Sequence, residues 1–414
     1  MSTVDPNAPL EPDQISDLIA MIRQSADKLH ADRTDRGDLK ILSRTLRELR
    51  YAFKVFAAYR GRRKVTVFGS ARTPPDAAAY KQAVALGRAM AERDWLVVTG
   101  AASGIMEAGH PGAGRQHAMS LNIMLPFEQS ANEVIRDDPK LVNMKYFFTR
   151  KLMFVKECDA VVCLPGGFGT LDEALEVLTL LQTGKRDIVP VIFLDEPGGT
   201  FWNDFHQFLG KRLLADGMIS PADLSLYRVC DCVDATVDEI IHFYRVYHSM
   251  RFVRKQLVIR MQRPLPEETV ARINADFADM LVEGQFVQRD AFKEEADEFQ
   301  AVELPRLAFH FNRRNFGRLR QLIDAINASE PAGAPTPGAP FRCLRIDRWR
   351  LISGQPAAAV LNRSALLAGS FGGASSANRA RPTRVNAFPQ SVCRCNEPGA
   401  VLPILAEILS RHAN

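Results

Sequence analysis

No apolar run in this chain reaches the roughly 18 residues that a membrane-spanning helix requires, so nothing in the sequence points to a bilayer. The first residues, MSTVDPNAPLEPDQ, have neither the basic start nor the apolar middle of a secretory leader. A cytoplasmic protein is the expectation. Cysteine is sparse: seven in 414 residues, an odd number, and scattered. Cys230-x-Cys232 and Cys393-x-Cys395 lack the two-residue gap of a zinc knuckle, and no histidine pair completes either. Cys158 and Cys163 flank and occupy an apolar run, where cysteine acts as a small filler. Neither disulfides nor a bound metal are expected. Lysine is missing altogether after residue 330: residues 331–414 hold ten Arg, no Lys and three acids, a surplus of +7. The other 330 residues therefore carry about −2 of the net +5. The basic balance belongs to the tail, and the remainder lacks the electrostatic footprint of a nucleic-acid binder.

What is present is an ordinary globular composition, 46% hydrophobic and 24% charged, in a chain long enough for two or three domains. Ile15, Leu18, Ile19 and Ile22, then Leu39, Ile41, Leu42, Leu46, Leu49, Phe53 and Phe56, recur at helical spacing with polar residues 32–37 between them. Residues 1–62 are read as a helical N-terminal extension that packs on the core or on a second subunit, with 1–12 disordered. From Lys64 the rhythm becomes alternating strand and helix. Strands are expected at 65–69, 95–100, 120–126, 160–164, 188–194 and 227–233. Helices are expected at 77–93, 104–117 (kinked by Pro111), 144–157, from Thr170 to just before Gly184, 202–215 and 237–247. Repeated β-α units with right-handed crossovers imply an α/β, Rossmann-like parallel sheet with helices on both faces over 63–250. Ligands of such sheets sit beyond the carboxyl ends of the strands. Residues 251–330 read as a small C-terminal α+β unit. Residues 331–414, opening on PAGAPTPGAP, read as a low-complexity, disordered tail with a short helix at 404–411.

The chain is organised around Ala160–Gly184. An apolar run, Ala160 to Leu164, has the length and branching of a buried parallel strand. Pro165-Gly166-Gly167-Phe168-Gly169 then turns the chain with three glycines in four positions, and Thr170 opens an amphipathic helix that stops at Gly184. A strand, a glycine-rich turn and a helix N-terminus gather free N–H groups and the positive dipole end, which suits a phosphate. Thr170-x-x-Glu173 also reads as a plain capping box, but a cap does not call for Gly166, Gly167 and Gly169 before it. Two further loops leave carboxyl ends of strands. Gly69 and Ser70, with Arg72, suit a nucleotide phosphate or ribose, and equally an ordinary βα turn. Gly100 to Glu107 includes Gly104 and Met106 as candidates; Met106 is equally a core methionine. Arg150 and Lys151 lie on a helix that Phe147, Phe148, Leu152, Phe154 and Val155 bury, and read either as solvated cations or as anion ligands.

PGGFGTLDE at 165–173, VFGSART at 67–73, VTGAASGIMEAG at 98–109, LPFEQ at 125–129 and the Arg150-Lys151 pair resemble, in order, the motifs of the larger branch of the LONELY GUY-type family of nucleoside 5′-monophosphate phosphoribohydrolases, long labelled lysine decarboxylases. The resemblance runs from about Lys64 to Tyr247. It implies that Glu173 and Arg150 are catalytic, with Lys151 a companion. It also implies that Gly69, Ser70, Gly104, Met106, Pro165, Gly166, Gly167, Gly169 and Thr170 bind the substrate. Relatives commonly have glycines where this chain has Ala101 and Ala102, and a Cβ there restricts positive φ. A fixed carboxylate suits the chemistry, because breaking C1′–N develops positive charge on the ribose. The resemblance implies hydrolysis of a purine-type nucleotide, AMP or a cytokinin riboside monophosphate, by water. No cofactor is expected, and a homodimer or larger assembly is. A non-catalytic nucleotide carrier using the same loop is the alternative. The old decarboxylase label requires pyridoxal phosphate on a lysine, and no lysine stands in such a context.

Overall fold

The computed structural model describes residues 12–125, 131–295 and 301–330. The expectations placed on residues 1–11, on 126–129 of LPFEQ and on the 331–414 tail lie outside the described residues. The chain runs through α1 (Pro12–Ala31), α2 (Arg36–Ala57), β1 (Lys64–Phe68), α3 (Ala78–Ala91), β2 (Leu96–Thr99), α4 (Ile105–His117), β3 (Ala118–Ile123), β4 (Leu141–Met144), α5 (Phe147–Glu157), β5 (Ala160–Cys163), α6 (Phe168–Gln182), β6 (Val191–Leu194), α7 (Phe201–Phe208), β7 (Arg228–Cys230) and α8 (Val233–Phe243). It continues through β8 (Tyr247–Val253), β9 (Gln256–Met261), α9 (Glu267–Asp276), β10 (Val287–Arg289), β11 (Arg306–Phe309) and α10 (Phe316–Asn327).

Seven strands form one parallel sheet in the order β4-β3-β2-β1-β5-β6-β7. The architecture is α/β and Rossmann-like, as the alternating pattern predicts. β1, β2, β3, β5 and β6 are buried along their whole length, which explains their near-continuous apolar runs. From β1 the chain builds outward to β4, then crosses to β5 on the other side of β1 and builds to β7. The topological switch point therefore lies between β1 and β5, where a crevice opens at the carboxyl ends. A hydrogen bond from Ser70 N–H to the Pro165 carbonyl (3.2 Å) joins the two loops there.

Four antiparallel strands, β10-β11-β9-β8, make the second sheet. Leu257, Ile259, Leu307 and Phe309 from this sheet share one apolar cluster with Phe193, Trp202 and Tyr227 beside the first. On the other side, α2 starts at an Asp35 cap whose side chain accepts from Asp38 N–H. It buries Glu48, Ala52 and Phe56, a stripe at i, i+4 and i+8, against α5 and β4. Its other faces leave Leu42 and Leu46 exposed, as α1 leaves Leu18, Met21 and Ile22. No helix among the described residues is long and apolar enough to cross a membrane.

Four expectations are corrected. Residues 141–144 are an edge strand and the helix starts only at Phe147, because Leu141-Val142-Asn143-Met144 alternates and pairs with β3. Residues 247–253 are a strand, α8 having ended at Phe243; Tyr247, Met250 and Val253 are its buried positions. The break in α4 falls at Gly114 (φ 72°), not at Pro111 itself. The helix after β5 starts at Phe168, so the capping-box reading of Thr170 and Glu173 fails: Gly167 is the cap, and its carbonyl accepts from Thr170 N–H and Leu171 N–H. At the far end the sequence reading holds, with Gly184 at φ 66° just past Thr183.

Candidate functional site

Starting α6 at Phe168 shapes the bend that precedes it. Gly167 is extended (φ −86°, ψ −156°) with no side-chain cap. Among the described residues no backbone carbonyl accepts from the amides of Gly167, Phe168 or Gly169, the free donors expected at a helix start. Gly167 and Gly169 face open space, and Phe168 between them is 93% exposed. Gly166 is closed in. A methyl there would lie 2.2 Å from Thr170 Oγ1 and 3.0 Å from Ser70 N, so the absent side chain lets Thr170 fold back under the bend. Thr170 is buried.

Glu173 is the sixth residue of α6, in its second turn, about 7–8 Å along the axis from the helix start at 1.5 Å per residue. Its side chain is buried, and Oε2 has no hydrogen-bond partner among the described residues. Burial pushes its pKa up to about 7; Lys151 and Arg150 pull it down, and Asp172 and Glu176 push it up. An unpaired buried carboxylate costs stability, and such perturbed groups gather where function needs them.

Arg150 reaches the same region from α5. Nε donates to the Leu121 carbonyl within β3 (2.8 Å), and the guanidinium lies 5.1 Å from the centre of the Phe154 ring. Burial lowers its pKa to about 10, with Glu173 pulling it back up; it stays charged at neutral pH. Gly100 gives it room: a methyl there would meet Arg150 Nη2 at 2.1 Å and Met106 Sδ at 2.5 Å. Lys151 faces the acids instead, its Nζ 2.7 Å from Asp172 Oδ2 and 2.5 Å from Glu176 Oε2. Burial lowers its pKa, but those two hydrogen bonds outweigh it and hold the amine charged.

The remaining candidates divide. Ser70 is half-buried at the switch point, its hydroxyl accepting from Arg72 N–H at 3.1 Å. Gly69 is packed shut, since a methyl there would strike Ile105 at 2.5 Å. Gly104 turns the second loop at φ 66° against the Ser70 carbonyl. The structure thus gathers Gly100, Met106, Arg150 and Glu173 with the open bend, while Gly69 and Gly104 serve the loops' packing.

Sequence reasoning missed what holds the second loop. Ala101 is fully buried at φ 62°, a conformation that glycine adopts far more readily than alanine. Its N–H donates to Thr99 Oγ1 (3.2 Å), and its carbonyl accepts from Asn132 N–H (3.0 Å) and Asn132 Nδ2 (3.3 Å). Asn132 contacts the ring of buried His110, whose Nε2 lies 3.1 Å from Thr99 Oγ1 and from the Met119 carbonyl. Burial keeps that imidazole below its usual pKa, and so neutral. An Ala101→Gly exchange is expected to leave stability within about 0.5 kcal/mol, relief of left-handed strain offsetting greater unfolded-state freedom. Ala101→Val should cost more than about 2 kcal/mol, since a branched residue neither adopts that φ nor fits the space. Urea denaturation compares the two, and equal costs would show that the φ at 101 is not what the network maintains.

Residues 99–240 match a family model described as "Possible lysine decarboxylase". Among curated proteins, the cytokinin riboside 5′-monophosphate phosphoribohydrolase LOG3 of Arabidopsis thaliana is 31% identical over 164 residues, 38% of this chain and 73% of that protein. LOG7 of the same plant, of the same description, is 30% identical over 164 residues, 38% of this chain and 72% of that protein. Among solved structures, a molybdenum cofactor binding protein from Rippkaea orientalis aligns over 44% of this chain and 96% of its own, at 19% identity and a TM-score of 0.33.

Proposed function

Because the chain belongs to the LONELY GUY-type phosphoribohydrolase family, we propose that it hydrolyses the N-glycosidic bond of a purine-type nucleoside 5′-monophosphate, giving free base and ribose 5-phosphate. One observation carries the reading: a buried carboxylate oxygen, Glu173 Oε2, without a hydrogen-bond partner among the described residues, stands one turn behind an open glycine bend whose amides meet no backbone carbonyl among those residues. The 5′-phosphate binds the amides of Gly167 to Gly169 at the positive end of α6. The sugar then lies over Glu173, whose negative charge stabilises the ribosyl cation that forms as C1′–N lengthens. Arg150, held by the Leu121 carbonyl, faces the base and leaving nitrogen. Water supplies the oxygen at C1′, and its proton leaves with the base. Lys151 acts through Asp172 and Glu176, fixing the outer side of α6. A pyridoxal-dependent decarboxylase needs a lysine amine free for the cofactor, and that of Lys151 is engaged in two ion pairs.

In this reading residues 63–250 are the catalytic unit, working in the cytoplasm as a dimer or larger assembly whose contacts cover the exposed apolar side chains of α1 and α2, Leu18, Met21, Ile22, Leu42 and Leu46. The test is incubation of the pure protein with AMP and with isopentenyladenosine 5′-monophosphate, followed by chromatography for free base. Base release supports the hydrolase; binding with no base from either nucleotide replaces it with a carrier. A Gly100→Ala exchange is expected to fold normally, because the methyl meets only the flexible ends of Arg150 and Met106. It should lower turnover by about 10-fold or more by displacing the guanidinium. Unchanged turnover in a correctly folded variant would remove Arg150 from the mechanism.

A further inference from the structure

We propose a second anion site, on the N-terminal extension, that takes a small ligand carrying a chain of phosphates. Arg36, Lys40, Arg44 and Arg47 fall at spacings of four, four and three along α2, which places them on one face. With Lys145 and Tyr146 from the turn before α5, they line a groove of about 460 Å³. That volume lies in the range of small-molecule sites, about 300–1,000 Å³. Among the described residues only Arg44 of the five cations has a carboxylate partner, Glu48 at 2.7 Å. Of the other acids at this end of α2, Asp35 accepts from the Asp38 backbone N–H as the helix cap, and neither Asp35 nor Asp38 lines the groove.

Two features separate this face from a merely solvated row of cations. Like charges at i and i+4 repel, yet Arg36, Lys40 and Arg44 repeat that spacing with one acid among them; a bound polyanion turns the repulsion into attraction. The two walls are also built on one buried group. Glu48 Oε1 accepts from Arg44 Nε (2.7 Å) on one wall and from Lys145 N–H (2.8 Å) on the other, while Oε2 accepts from Thr149 Oγ1 (2.8 Å). The Arg44 guanidinium and the Lys145 backbone are thus set before any ligand arrives, which lowers the ordering cost of binding. Tyr146 adds an aromatic wall, stacked on Phe148 at 5.3 Å. Several cations in a row fit a run of phosphates, each guanidinium fork meeting a pair of oxygens, whereas a single phosphate leaves most of them unused.

The site is independent of the activity proposed above, and its test is binding. Full-length protein is titrated calorimetrically with tripolyphosphate at low ionic strength, with sulfate at matched ionic strength as control. The Arg36→Glu/Lys40→Glu double variant and, on the opposite wall, Lys145→Glu are each expected to bind one equivalent fewer than wild type. Should the double variant fail to fold by circular dichroism, Lys145→Glu decides alone. Tripolyphosphate binding no tighter than sulfate, or a folded variant retaining every equivalent at an affinity within about twofold, would overturn the proposal.

Discussion

Replacing Glu173 by glutamine is expected to lower turnover at least about 100-fold while nucleotide binding survives, the scale of losing one contact made chiefly in the transition state. The amide keeps the volume and can still meet ribose hydroxyls, but it has no charge to set against the ribosyl cation. The exchange also has a signature in stability. The Glu173 pKa stands at about 7 in the fold, against 4.5 for an ordinary glutamate, and burial is the main cause. A raised pKa means that the fold favours the protonated form. Its stabilising effect is complete below pH 4.5 and is lost as pH rises through 7, amounting to about 3 kcal/mol at about 1.36 kcal/mol per pH unit. In the Gln variant that slope disappears, so it should be more stable than wild type at pH 8 and no more stable at pH 4.5. Denaturant midpoints at the two pH values, with base release assayed in parallel, check both parts. Wild-type turnover in the variant would discredit Glu173 as the group under the sugar.

The chain states its parallel sheet openly because burial on both faces leaves little freedom in composition. Val65-Thr66-Val67-Phe68 and Ala160-Val161-Val162-Cys163 are legible as strands for that reason. β4 is not, since an edge strand of four residues with two buried positions is too short to outweigh the helical pattern that follows it. The glycine bend was legible in outline but not in register. Thr170 and Glu173 fit a capping box in sequence, whereas the helix takes up the bend's own glycine as its cap and moves Glu173 into the second turn. Arg150 and Glu173 were visible as candidates. The engagement of Lys151 with Asp172 and Glu176, about twenty residues away, was not, because ion pairs between separate helices leave no trace in local spacing. The left-handed Ala101 was invisible for a different reason. Alanine rarely adopts that φ unaided, and the groups that impose it, Thr99, His110 and Asn132, meet only once the sheet is assembled.

Arg150→Met should also abolish most turnover, by about 100-fold or more, and the pH dependence separates this from loss of structure. Arg150 and Lys151 are the two cations that pull the Glu173 pKa down toward 7. Removing the guanidinium leaves burial and the neighbouring acids less opposed, so the carboxylate ionises at higher pH. Because the chemistry needs the ionised form, residual turnover should rise with pH through a midpoint above 7, where wild type turns near 7. Stability should hold, since the methionine side chain fills much of the space and the protein no longer desolvates a guanidinium whose own pKa burial has drawn down to about 10. Arg150→Lys is the companion test. A lysine keeps the charge, and with it most of the pull on Glu173, but it cannot donate to the Leu121 carbonyl from Nε while presenting Nη2 beside Gly100. It should therefore restore the pH midpoint without restoring the rate. A lysine variant that recovers full turnover would mean that charge alone matters at this position, and the geometry at Gly100 would lose its explanation.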